Sequence, residues 1–193
     1  MKKTKILGII LIAILGAYLI YNHFDKINKK TVVIDKFLTE YTLLTENKNF
    51  KYSTIDEVID IFNNKTGVIL FCTPTSEWCQ NYVYYLNEAV KGTDTVINYL
   101  NLKEYREVNT VKYQKILELL DSFVYMDDSG TKKIFMPDLS FVKDGVIVAH
   151  NNDTSLVNSE LTTKDYYTNE KINEFISEIK NDITLMNLEN IEE

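Results

Sequence analysis

A mixed α/β fold, with a central sheet flanked by helices and one apolar helix ahead of it, is what this sequence predicts. Three observations predict it. The 193 residues are 45% hydrophobic with only 6 Gly and 2 Pro, which supplies one core of ordinary size and leaves little for long flexible linkers. Short apolar runs alternate with segments of helical spacing, the order of a crossover sheet with parallel strands. A strong hairpin signal late in the chain adds an antiparallel pair, so the sheet is mixed.

The first element is "MKKTK" followed by the apolar run Ile6 to Tyr21. A cationic start before an apolar run is the layout of an export signal. The run is short beside the about 20 residues of a spanning helix. "GAYLIYNHF" offers no small-x-small cleavage site, and no Cys follows the run to carry a lipid. Residues 1–22 therefore read as a single membrane anchor, N-terminus inside and body outside the cytoplasm. The alternative is a signal cleaved to release a secreted protein. With Lys2, Lys3 and Lys5 set aside, 18 basic residues face 28 acidic ones, a net of −10. Phosphate backbones would repel such a body, which argues against nucleic acid as a partner.

Residues 23–52 read as a stalk or an extra helix, with Val33, Phe37, Tyr41 and Leu44 at helical spacing. The domain is expected over 53–185, with a tail at 186–193. It opens with a helix in "STIDEVIDIFNNKTG", where Thr54 and Glu57 make a capping box and Gly67 a stop. "GVILF" is a buried strand. A helix runs from about Ser76 to Val90, "DTVINYLNL" holds a strand, and "NTVKYQKILELLDSF" a further helix. Asp127-Asp128-Ser129-Gly130 is a turn. "PDLSFVKDGVIVAH" is two strands joined at Lys143-Asp144-Gly145. The final helix places Ile172, Phe175, Ile176 and Ile179 on one face.

Chemistry concentrates in "FCTPTSEWCQNY", residues 71–82, which contains Cys72 and Cys79, the only two cysteines. An extracytoplasmic location permits disulfides. A Cys72–Cys79 bridge needs Cα atoms within about 7 Å. Otherwise each cysteine serves as a small buried hydrophobe. Tyr82, Tyr84 and Tyr85 either flank a peptide groove or pack on their helix. No metal site is expected, because His23, His150 and the two cysteines lack ligand spacing. No phosphate-binding or nucleophile-elbow motif appears, and no cofactor is expected.

The order of elements, with "FCTPTSEWCQNYVYYLNEAVK", "INYLNLKEYR" and "MPDLSFVKDGVIVAH", resembles the thioredoxin-like superfamily over roughly residues 53–180. Within it, the chain looks like the bacterial thioredoxin-like proteins described as bacteriocin transport accessory proteins. The resemblance implies a C-x-x-C motif with one cysteine replaced. One alignment loses the second cysteine at Tyr82. The other, which agrees with the strand-to-motif interval and with Pro74-Thr75, places Ser76 first, then Glu77, Trp78 and Cys79. It also implies that Pro137 is cis, and that Trp78, Met136 and Pro137 meet an extended substrate.

In such a site the first cysteine lies at a helix N-terminus, which favours its thiolate for attack on a disulfide. The hydroxyl of Ser76 is too weak an acid for that step, but serine is a good N-cap. Two functions follow. One is a membrane-anchored oxidoreductase acting on thiols or disulfides of secreted peptides through Cys79, with Cys72 as partner and Ser76 in the attacking position. The other is a redox-inactive accessory or binding module, for example beside a peptide exporter.

Overall fold

The computed structural model describes Tyr18 and residues 35–108, 110–157 and 160–188. The expected anchor, apart from Tyr18, lies outside the described residues, as do His23, Val33 and 189–193. Among the described residues no helix is long and apolar enough to cross a membrane. The chain divides into a unit ending at Asp35 and a unit from Lys36 onward. The sheet and its helices all belong to the second.

That unit begins with a short helix, α1 (Lys36–Glu40), and a strand, β1 (Phe50–Tyr52). The helical spacing at Phe37, Tyr41 and Leu44 is real burial but not a continuous helix, since all three side chains enter the core. The helix ends at Glu40, and further on two asparagines shape the approach to β1. Asn47 Oδ1 accepts from Phe50 N at 3.0 Å, and Asn49 Nδ2 donates to Thr95 O at 2.9 Å. Ile97 N then donates to Asn49 O at 2.8 Å and leads the chain into β1. The described part of this segment, residues 35–52, packs on the sheet through Phe37, Tyr41, Leu44 and Phe50.

Helix α2 (Ile55–Asn64) starts at the expected capping box: Glu57 N donates to Thr54 Oγ1 at 3.2 Å and Thr54 N to Glu57 Oε2 at 2.7 Å. Gly67 does not stop this helix, contrary to expectation. An extended Lys65 ends it, and Gly67 opens β2 (Gly67–Phe71), where an added Cβ would meet Asn98 Nδ2 at 3.3 Å. Then come α3 (Glu77–Val90), β3 (Ile97–Leu100), α4 (Lys103–Glu107) and α5 (Val111–Leu119). The turn at Asp127–Gly130 joins a small ribbon, β4 (Tyr125–Met126) and β5 (Lys132–Lys133). β6 (Asp138–Lys143) and β7 (Val146–Asn151) form the expected hairpin. Asp144 and Gly145 both have positive φ, 49° and 80°, the two-residue turn that matches strand twist. Only glycine fits at 145, because a Cβ there would lie 2.5 Å from Asn63 O. A 3₁₀ turn (Asp153–Leu156), α6 (Thr163–Tyr166) and α7 (Asn169–Asn187) complete the chain.

The five-stranded sheet runs β1-β3-β2-β6-β7. β3 pairs parallel with β1 and β2, and β6 pairs antiparallel with β2 and β7. Alternate residues of each strand feed two cores. One face carries Val68, Leu70, Leu139 and Phe141 against α1, α3 and α7. The other carries Ile69, Phe71 and Val142 against α2 and α5. A mixed sheet with helices on both faces is therefore the architecture, as the sequence predicts.

Candidate functional site

The motif loop runs from the end of β2 into α3. Ser76 is the N-cap: its backbone is extended and its Oγ accepts from Cys79 N at 3.4 Å. Serine does here what its chemistry suits, satisfying an orphan N–H of the first turn. Cys72 follows the last residue of β2 and Cys79 lies in the first turn of α3. Their sulfurs are in direct contact, with Cα atoms 5.6 Å apart, inside the window for a bridge. Both residues are 0% exposed. Thr73 N donates to Cys79 Sγ at 3.2 Å, a polar contact from the same loop.

Pro137 is buried and its bond from Met136 is cis. Phe71 pairs with Asp138 across β2 and β6, so the next step in register brings Pro137 alongside Cys72. Met136 is half-buried and packs against both cores. Trp78 is half-buried too, but its ring is met by the chain's own aromatics. Tyr166 lies edge-on at 5.5 Å between centroids and Tyr167 at 6.3 Å. Thr163 Oγ1 donates to Glu77 Oε1, which ties α6 to the start of α3.

Gln80, one turn into α3, holds two segments together. Its Nε2 donates to Pro74 O in the motif loop at 2.8 Å and to Glu40 O at 2.6 Å, and its Oε1 accepts from Thr42 N at 3.1 Å. The three tyrosines divide. Tyr82 is in the core and donates to Asn151 Oδ1 at 2.9 Å, while Tyr84 is exposed and touches Tyr85. Burial pushes the Tyr82 phenol well up, so it stays neutral.

Sequence reasoning missed a second polar cluster. On the α2 and α5 side of the sheet, Asp138 Oδ2 lies 3.3 Å from His150 Nε2, and Ser140 Oγ lies 3.0 Å from His150 Nδ1. Phe123 stacks on the imidazole at 4.2 Å. The Asp138 and His150 side chains are only 3% and 4% exposed. Burial raises the Asp138 carboxyl above its ordinary range, with His150 pulling the other way. The line Asp–His–Ser is closed to solvent, so it is not a nucleophile site. Among the described residues no group of His, Cys, Asp and Glu is arranged to hold a metal ion.

Compared with protein-family models, curated proteins and solved structures, the chain matches none.

Proposed function

We propose that this chain is a thioredoxin-like protein, tethered through residues 6–21 and facing out of the cytoplasm, that holds extended peptides without exchanging their disulfides. The strand order, the motif loop after β2 and the cis-Pro137 ahead of β6 support the fold reading. The observation that carries the functional reading is the arrangement at the start of α3. Ser76 fills the N-cap where an attacking thiolate would stand, and both cysteines are buried against each other. A buried thiol has no path to a protein disulfide, so Cys72–Cys79 is a cross-link that fixes the loop. The Met136 backbone beside Pro137 is the edge offered to an extended peptide. A peptide exporter is the partner such a module suits.

The sulfur contact favours one second reading, a displaced redox pair. Each cycle would open the Cys72–Cys79 disulfide to two thiols while a donor dithiol closes to a disulfide, and the two thiols would close again as a substrate disulfide opens, two electrons and two protons passing at each step.

Insulin reduction by the purified full chain with dithiothreitol separates the two. The expected result is turnover at background for the native protein and a gain for Ser76→Cys, which completes C-x-x-C. Turnover by the native protein that disappears in Cys79→Ser would establish the redox reading instead.

A further inference from the structure

The link between β7 and α7 carries α6 back over the start of α3. Two residues, Glu77 and Trp78, separate Ser76 from Cys79, and α6 with the residue after it engages both. Thr163 Oγ1 donates to Glu77 Oε1. Tyr166 lies edge-on to the indole, its centroid 5.5 Å away, and Tyr167 follows at 6.3 Å. Trp78, expected from the sequence to meet an extended peptide, is thus already partly covered by its own chain.

The two ends of α6 are held unequally. Tyr167 is 8% exposed, and its ring packs on Tyr85 at 4.8 Å as well as on Trp78. That end is fixed. At the other end Leu161, Thr162, Lys164 and Asp165 are exposed, and Thr162 turns its hydroxyl inward to cap Asp165 N. This half is tied to α3 through the Thr163 hydrogen bond and the Tyr166 ring. Four residues make about one helical turn, which does not persist without packing. A segment so short and so exposed opens at a lower free-energy cost than the sheet.

We propose that α6 is an autoinhibitory strap: Thr163 and Tyr166 hold it over Glu77 and Trp78, and an extended peptide binds by displacing it about Tyr167. The peptide part rests on the peptide-holding function above. The consequence is one of sign. A strap that must open lowers the apparent affinity by the fraction of molecules that are open. Loosening it tightens peptide binding, whereas removing a residue that touches the peptide weakens it.

The test uses the full chain and two readouts. Trp78 is the only tryptophan, so acrylamide quenching without peptide reports its cover. Peptide binding is read by the anisotropy of fluorescein-labelled, S-carboxymethylated insulin B chain, an unfolded polypeptide. Thr163→Val removes the hydroxyl and keeps the branched shape, and Glu77→Ala removes its acceptor from an exposed position. Neither change alters the indole or the rings beside it. In both variants quenching is expected to rise about twofold and B-chain binding to tighten about fivefold. Thr163→Ser, which keeps the hydroxyl, is expected to match the native protein. Unchanged quenching, or binding that weakens in both variants, would overturn the strap, as would a Thr163→Ser that behaves like Thr163→Val. If quenching rises and no form of the protein binds the B chain, the peptide-holding function fails and the strap stands as the cover of Trp78.

Discussion

The two faces of the sheet bury their sensitive groups in opposite ways. On the α3 side, Cys72 and Cys79 meet as neutral sulfur, and Tyr82 finds a partner in Asn151. On the α2 side, Asp138 and His150 remain an ionisable pair, and Asp138 Oδ1 and His150 Nε2 make no hydrogen bond. Burial is equally deep on both sides, yet the environmental variable each face answers to differs. The first answers chiefly to redox potential, with Asp182 of α7 its one buried carboxyl among the described residues, and the second to proton concentration. Depth of burial alone does not set how a core responds to its surroundings; the chemistry of the buried atom does.

Four experiments break or sharpen this contrast. The largest effect is expected from Phe141→Ala, which empties a fully buried site on the cysteine face. Urea unfolding should show a loss of about 3–5 kcal/mol. Next is chemical reduction. Opening a loop of sequence separation 7 should cost about 2 kcal/mol, and Cys72→Ala/Cys79→Ala should show no further response to phosphine. Third, Ser76→Ala removes the N-cap of α3 and should cost about 1 kcal/mol, measured by thermal unfolding.

The smallest effect is one of profile. Asp138 has its carboxyl raised in the folded state, so the native protein binds its proton at higher pH than the unfolded chain. Its contribution to stability therefore increases as pH falls from neutral towards the ordinary Asp value of 3.8. Asp127, held below its ordinary range by Lys133 and Ser129, acts with the opposite sign, and only below that value. Urea midpoints for Asp138→Asn between neutral and the ordinary Asp value should lose part of the rise, the remainder belonging to Asp182, whose carboxyl burial also raises. A rise undiminished in the variant would assign all of it to another group.

The sequence made much of the scaffold legible because the signals were local. Thr54 with Glu57, Ser76 at its helix start and Asp144-Gly145 at its turn each act within four residues. The Cys72–Cys79 bridge is only one of two readings the sequence allows, the other being two small buried hydrophobes, because a spacing of seven residues does not by itself say where the side chains point. β1, α4 and α6 were not legible, because elements of three to five residues are held by tertiary partners rather than by their own periodicity. The Asp138–His150 cluster was hidden for a sharper reason. Counting back from the Asp144-Gly145 turn would set Ser140 opposite Ala149. A bulge beside Phe141 and Val142 shifts the register by one, and His150 takes that place. No residue in β7 announces the bulge.

Gln80 carries a consequence for how motion in this molecule is observed. Its single amide holds the Thr42 N–H, the Glu40 carbonyl and the Pro74 carbonyl at once. The segment after α1 and the motif loop thus cannot part from α3 independently of that side chain. Hydrogen exchange at Thr42 N–H becomes a clock for the motif loop, a loop to which Thr42 does not belong.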